Sequence, residues 1–195
     1  MAATKPAAQG REPARVRRAT YQDVLDAPPN KVAEIVSGTL YTSPRPAAPH
    51  ALASSSLGSD LSNPFQFGRG GPGGRWIIDE PELHLGEDIL VPDLAGWRRE
   101  RMPEYPGGAY FTLAPDWLCE VLSPSTRRLD LLGKRPVYAR EGVGHLWLVD
   151  PVDRTLEAFE LRDGQWAPIA AAKDDEPVCI HPFDAVTFSL GDLWP

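Results

Sequence analysis

The sequence predicts a mixed α/β fold, in which helices flank a β-sheet core and extra β-hairpins extend it. Residues 145–150 form a nearly continuous apolar run, which is typical of a strand covered on both faces. A second apolar run, residues 117–122, is followed by a mostly helical stretch over 123–141. This order predicts two neighbouring strands joined by a crossover helix. Strand-like runs on either side of Asp163-Gly164 predict a hairpin.

Shorter elements precede these central strands. Thr20 and Asp23 have the spacing of a capped helix start. Ser37-Gly38 predicts a tight turn between two short strands. The predicted elements are a helix at 21–26, a hairpin at 32–41, a helix at 50–61, and strands at 76–79, 82–85 and 89–97.

The length of 195 residues suits one domain with a terminal extension. We expect residues 1–18, rich in alanine, proline, glycine and arginine, to be a disordered tail, and residues 19–195 to form a single domain. No apolar run approaches the roughly 18 residues of a membrane span. The N-terminus also lacks the apolar segment of a secretory signal, so the sequence predicts a cytoplasmic protein without membrane contact.

The formal net charge of −7 argues against a large basic surface that grips phosphate backbones. It lowers the expectation of tight nonspecific DNA binding. It does not exclude a nuclease, because metal ions and a few arginines can hold a scissile phosphate.

Two carboxylates interrupt apolar strand-like runs. Asp93 follows Val-Pro in one run, and Glu120 stands between a cysteine and a valine in the other. A lone carboxylate in such a strand is unfavourable unless it is paired or bound to a metal. Two of them in neighbouring strands repel each other unless a divalent cation lies between them. Since Mg²⁺ prefers a few hard oxygen ligands and keeps several waters, the pattern predicts a site for Mg²⁺ or Mn²⁺.

A lysine in the following helix is placed to reach these carboxylates. Lys134 comes four residues after Asp130, so both share a face of a regular helix. Gly133 and Pro136 interrupt that helix, because proline removes a backbone hydrogen bond. Either the helix restarts with Pro136 in its first turn, or Lys134 lies at a bend.

The most specific motif of the chain is Glu-Val-Leu-Ser-Pro-Ser-Thr at residues 120–126. Further segments of the same pattern are residues 34–40, 43–46, 91–93 and 115–151, together with His50. Over residues 21–161 the chain resembles the Uma family of restriction endonucleases, which belongs to the PD-(D/E)XK nuclease superfamily. The resemblance implies a restriction-endonuclease-like fold, with a mixed sheet flanked by helices.

The same resemblance implies roles for individual residues. Asp93 matches the metal-binding aspartate and Glu120 the second acid, and the backbone carbonyl of Val121 would complete the metal shell. The superfamily usually has a lysine two residues after this acid. Here that residue is Leu122, and the family takes its lysine from the following helix, which makes Lys134 the candidate.

Glu34 matches an upstream acid, which would support the site or bind a second metal ion. Together these assignments predict an endonuclease that hydrolyses phosphodiester bonds with Mg²⁺. The expected substrate is duplex DNA. A homodimer would suit this substrate, because cutting both strands calls for two centres related by a two-fold axis.

Other interpretations are open from sequence. The chain could be an inactive nuclease-fold module that binds DNA or protein, or a metal-dependent hydrolase of small phosphoesters. Glu120 could form a buried salt bridge with Lys134 or Arg127, and Asp93 could cap a turn. His50 and Tyr138 are interpreted as structural residues.

Overall fold

The computed structural model describes residues 17–195. Almost all of the predicted tail, residues 1–18, therefore lies outside the described residues. The helices are α1 (Tyr21–Leu25), α2 (Ala48–Leu61), α3 (Arg127–Leu129) and α4 (Arg135–Arg140), with π-helical turns at Ser62–Gln66 and Asp130–Lys134 and a 3₁₀ turn at Leu190–Leu193. The strands are β1 (Lys31–Val36), β2 (Thr39–Pro44), β3 (Arg75–Asp79), β4 (Leu83–Leu85), β5 (Asp88–Leu90), β6 (Leu94–Arg98), β7 (Trp117–Val121), β8 (His145–Asp150), β9 (Thr155–Arg162), β10 (Gln165–Lys173), β11 (Pro177–Val178) and β12 (Phe188–Ser189).

The larger sheet has six strands in the order β10-β9-β8-β7-β6-β3. Strands β7 and β8 pair in parallel, and their connection contains α3, the π-helical turn and α4. The other described neighbours in this sheet pair antiparallel. The predicted crossover helix between the strand of Glu120 and the strand of residues 145–150 is confirmed, as is the hairpin of β9 and β10.

A smaller sheet has four strands in the order β2-β1-β5-β4. Its β1–β2 hairpin turns at Ser37 and Gly38, both of which have positive φ, as the sequence predicts for this turn. Strand β1 also pairs with β5 through Ile35 and Ile89. This pairing brings the N-terminal hairpin beside the segment that leads to Asp93.

The larger sheet buries apolar side chains on both faces. In β7, Cys119 and Val121 belong to the core under α2, whereas Leu118 and Leu122 belong to the opposite core. Because successive strand residues point to opposite faces, Glu120 faces the second core. That core also contains residues of α4 and of the smaller sheet, so Glu120 points between the two sheets.

One prediction is wrong: residues 89–97 do not form a single strand. Their first part belongs to β5 in the smaller sheet and their last part to β6 in the larger sheet. The break falls at Pro92, which has no backbone N–H to donate to a strand neighbour. The adjacent Val91 N–H donates to Glu34 Oε1 at 2.8 Å instead of to a strand. The chain thus crosses from one sheet to the other directly before Asp93.

Within residues 17–195, no helix combines the length and the apolar content that a membrane crossing requires.

Leu57 provides a test of how α2 holds the larger sheet. Leu57 is fully buried in the core under α2, whereas Leu52 on the same helix is exposed. We expect Leu57→Ala to lower the free energy of unfolding by about 2–5 kcal/mol, because it leaves a cavity. Leu52→Ala, with the same change in helix propensity, should shift it by less than about 1 kcal/mol. Urea unfolding measures both, and equal effects would contradict this packing.

Candidate active site

Asp93 and Glu120 lie opposite each other at the ends of adjacent strands. Leu94 of β6 pairs with Cys119 of β7, so the antiparallel register places Asp93 across from Glu120. The Val121 N–H donates to Asp93 Oδ2 at 2.7 Å, which fixes the carboxylate against β7. Residues opposite each other in an antiparallel pair point to the same face, so both carboxylates face the gap between the sheets.

Lys134 is the positive centre of this gap. Its Nζ lies 2.9 Å from Glu120 Oε1, 3.0 Å from Glu34 Oε1 and 3.3 Å from Asp130 Oδ1. It also donates to the Val91 carbonyl at 3.4 Å. Its side chain is only 4% exposed, so these charges interact without much solvent screening. A single ammonium therefore contacts the smaller sheet, the larger sheet and its own helical segment.

The local backbone explains how Lys134 reaches the carboxylates. The segment Asp130–Lys134 is a π-helical turn, and α4 restarts with Pro136 in its first turn. The two alternatives occur together: Lys134 ends an irregular helical turn, and Pro136 is tolerated in the first turn of α4 directly after it. At Gly133 a Cβ atom would lie 2.9 Å from Leu129 Cδ1 and 3.4 Å from Val36 Cγ1. The glycine thus leaves room for the side chain of Leu129 from α3 beside this turn.

Glu34 links the lysine to the crossing segment. Its Oε1 accepts the Val91 N–H and lies beside Lys134 Nζ, while the Val91 carbonyl accepts from the same ammonium. The backbone N–H and carbonyl of Val91 are therefore hydrogen-bonded to the side chains of Glu34 and Lys134 rather than to a neighbouring strand. The cluster therefore holds in place the chain that carries Asp93.

Tyr138 contacts the site directly, although sequence reasoning treated it as a packing residue. It is fully buried on α4, and its hydroxyl donates to Glu120 Oε1 at 2.6 Å. Its spacing of four residues from Lys134 puts both on one helix face, which is the signal that could have identified it. The contacts of Glu120 with Tyr138 and Lys134 both use Oε1.

His50 is the second residue whose contact the sequence did not reveal. It lies in the first turn of α2, and its Nε2 is 3.2 Å from Asp93 Oδ1. Burial lowers the pKa of His50, but the hydrogen bond and charge of Asp93 and a smaller contribution from the Val121 carbonyl raise it overall. No spacing signal in the sequence connects His50 with Asp93, because they lie on separate elements.

The buried charges perturb one another strongly. Burial raises the pKa of Glu120 well above its usual range; Lys134 opposes this shift, and the carboxylates of Asp130, Asp93 and Glu34 add to it. Burial by itself lowers the pKa of Lys134, yet the surrounding carboxylates, led by Glu120, raise it well above its usual range. Lys134 is therefore an ammonium ion at neutral pH.

A cleft of about 240 Å³ opens beside these buried charges. Its lining residues include Glu34, His50, Asp93, Glu120 and Lys134. The structure thus brings together the four side chains that the sequence singled out. Val121 lies beside them and binds Asp93 through its backbone N–H.

The donor chemistry of the cluster suits a hard divalent cation. Asp93 and Glu120 offer carboxylate oxygens at the cleft, and Mg²⁺ needs only one or two protein carboxylates with waters for the rest. In residues 17–195, no group of three or more His, Cys, Asp or Glu side chains is placed to hold a metal ion. A site here would accordingly rest on two carboxylates, a backbone carbonyl and water.

Replacing Lys134 tests the balance of the buried charges. We expect Lys134→Met to lower the free energy of unfolding by about 3–5 kcal/mol, because it leaves buried carboxylates without their cation. Urea unfolding in EDTA measures this effect, and Lys173→Met on exposed β10 is the control, with a change below about 0.5 kcal/mol.

The double variant Lys134→Met/Glu120→Gln sharpens the test. Replacing Glu120, one of the carboxylates left without a cation, should recover part of the stability that Lys134→Met loses. A double variant no more stable than the single one would show that the two groups are not coupled.

Comparisons with known proteins identify the family and the fold of this chain. A family model described as "Uma2: Putative restriction endonuclease" matches residues 18–190. A crystal structure described as "a putative nuclease belonging to DUF820", from Anabaena variabilis, has a TM-score of 0.69 and 23% sequence identity, and covers 90% of this chain and 97% of that chain. At this identity the likeness concerns the fold, and it confirms the predicted nuclease-like α/β architecture. No curated protein matches the chain. Because the family model matches most of its length, this chain belongs to the Uma2 family.

Proposed function

We propose that this chain is a DNA endonuclease that uses Mg²⁺ or Mn²⁺ to hydrolyse phosphodiester bonds. The observation that carries the proposal is the convergence of Asp93, Glu120 and Lys134 in one cleft. Two carboxylates can hold a metal ion that activates water, and an ammonium beside them can stabilise charge on a phosphate. The family to which the chain belongs supports the same chemistry.

Asp93 and Glu120 would hold the metal ion. The Val121 carbonyl would join them, because the N–H and carbonyl of one strand residue point to the same side and the Val121 N–H already points to Asp93. A bound Mg²⁺ supplies a more acidic water and stabilises negative charge on a phosphate. Tyr138 fixes Glu120 through Oε1, which keeps the orientation of the carboxylate constant.

Lys134 acts as a hydrogen-bond donor in this proposal. Although burial by itself lowers its pKa, the carboxylates around it, led by that of Glu120, raise this pKa above the usual range, so the group is an ammonium that can donate hydrogen bonds. Its ammonium stabilises the negative charge that develops on the phosphate and orients the attacking water. Glu34 and Asp130 position the ammonium from two sides. Duplex DNA as the substrate and a homodimer as the acting form remain predictions.

The shape of the cleft favours a second candidate function. Glu120 is only 2% exposed, and the cleft of about 240 Å³ would readily admit a small phosphoester. A metal-dependent hydrolase of small phosphoesters would use the same residues. The two functions separate by substrate, because such an enzyme would hydrolyse bis-p-nitrophenyl phosphate and leave plasmid DNA intact.

The first test is cleavage of supercoiled plasmid with Mg²⁺ or Mn²⁺. We expect nicking by the native protein and a loss of roughly 100-fold or more for Glu120→Gln, because the variant keeps the shape of the side chain but removes a charged ligand. Lys134→Ala should show a comparable loss, provided that circular dichroism shows the variant to be folded at the assay temperature.

Glu157→Gln is the matched control, since Glu157 is an exposed carboxylate on β9 in the same cross-sheet row as Glu120 and Leu148. It should leave cleavage unchanged. If the folded native protein cleaves neither plasmid nor bis-p-nitrophenyl phosphate with either metal, the hydrolase proposal fails. The interpretation of the chain as an inactive binding module then replaces it.

A further inference from the structure

The outer wall of the cleft carries a motif that the proposed chemistry does not use. Residues 43–46, Ser-Pro-Arg-Pro, comprise the end of β2 and the start of its connection to α2, and all four line the cleft. Each proline fixes its own φ and restricts the residue before it. Arg45 therefore lies on a segment with a restricted backbone conformation, and this restriction limits where its side chain can lie at the cleft.

Arg45 is paired across the cleft with a single acid. Its Nη1 lies 3.2 Å from Glu80 Oε2, and both residues line the cleft. The two side chains are 60% and 36% exposed. An exposed ion pair of this kind contributes little net stability, so another anion can readily displace the glutamate.

Glu80 is held close to Asp93 by its backbone. Its N–H donates to the Asp93 carbonyl at 3.0 Å, and its φ of 43° lies in the left-handed region that residues other than glycine rarely adopt. Strained backbone persists where the surroundings impose it, and such positions cluster at functional sites. The acid that pairs with Arg45 is thus fixed beside the residue that would hold the metal ion.

Another part of the cleft lining is rich in hydroxyl groups. Ser123 Oγ lies 3.0 Å from Ser125 Oγ and 2.9 Å from Thr126 Oγ1, and the three residues line the same cleft as Arg45. Hydroxyl groups and arginine are frequent ligands of backbone phosphates in nucleic-acid complexes. An arginine fork also binds two phosphate oxygens at once, which a lysine does not.

We propose that Arg45 and these hydroxyls form a subsite for a phosphate of the nucleic-acid backbone next to the scissile one. Glu80 occupies Arg45 in the free protein and is displaced when the phosphate binds. This inference rests on the proposed nuclease function and deepens it, because it names what positions the substrate strand. It predicts that replacing Arg45 weakens nucleic-acid binding, whereas replacing Glu80 strengthens it.

The test measures the affinity of the protein for fluorescein-labelled oligonucleotides, both single-stranded and duplex, by fluorescence anisotropy. The binding buffer contains Ca²⁺, and gels confirm that the oligonucleotide stays intact. Arg45→Ala should weaken binding about tenfold and reduce the slope of log K against log salt by about 0.7 for single strands or 0.9 for duplex. Glu80→Gln should strengthen binding about threefold, because it frees Arg45 and removes a negative charge from the cleft.

Arg18 and Glu87 provide the control, since they form an exposed ion pair of 2.6 Å and neither residue lines the cleft. Arg18→Ala and Glu87→Gln should leave affinity unchanged. The subsite is refuted if Arg45→Ala and Glu80→Gln shift affinity in the same direction, if neither shifts it, or if the control pair shifts it equally. A native protein that binds no oligonucleotide also refutes the subsite. Plasmid cleavage by the native protein leaves the nuclease function standing with any of these binding results, so the failure of the subsite and the failure of the nuclease function are distinguishable.

Discussion

The contact on which the rest of this structure depends is the buried ammonium of Lys134 among Glu34, Glu120 and Asp130. Each carboxylate comes from a different part of the fold: the smaller sheet, the larger sheet and the helical crossover. Through the Val91 carbonyl the same ammonium also holds the chain where it passes between the sheets. One side chain therefore connects the two sheets, the helical crossover and the crossing segment at the cleft.

Such a cluster is an unfavourable way to stabilise a fold. Removing charges from water is so costly that well-packed apolar residues in the same space are often as stabilising as a buried ion pair, or more so. The neighbouring cores show that this fold can fill the space between its elements with apolar side chains. The charged cluster therefore favours the proposed chemistry at the cleft over a purely stabilising role, and the raised pKa values of Glu120 and Lys134 agree with that proposal.

The sequence could predict what depends on local pattern. The apolar runs of β7 and β8 and the helical stretch between them indicate the parallel pair, and the isolated carboxylates in apolar strands mark Asp93 and Glu120. It could not show that residues 89–97 divide between two sheets, because Pro92 alone does not reveal that Glu34 binds the Val91 N–H. The contact of His50 with Asp93 could not be predicted for a similar reason: it depends on how α2 meets the start of β6, which no local spacing records.

The charges of the cluster also constrain how a phosphate can enter. Four carboxylates, Glu34, Asp93, Glu120 and Asp130, surround two basic groups, Lys134 and His50. A phosphate that approaches this excess of acid is repelled unless a further cation balances it, and repulsion is strong in a cleft with little solvent screening. Arg45 lies farther out, where solvent screens these acids, so it can attract a phosphate before the inner site does. Attraction at the rim and charge balance in the interior are thus separate tasks, and the sequence assigns them to separate segments of the chain.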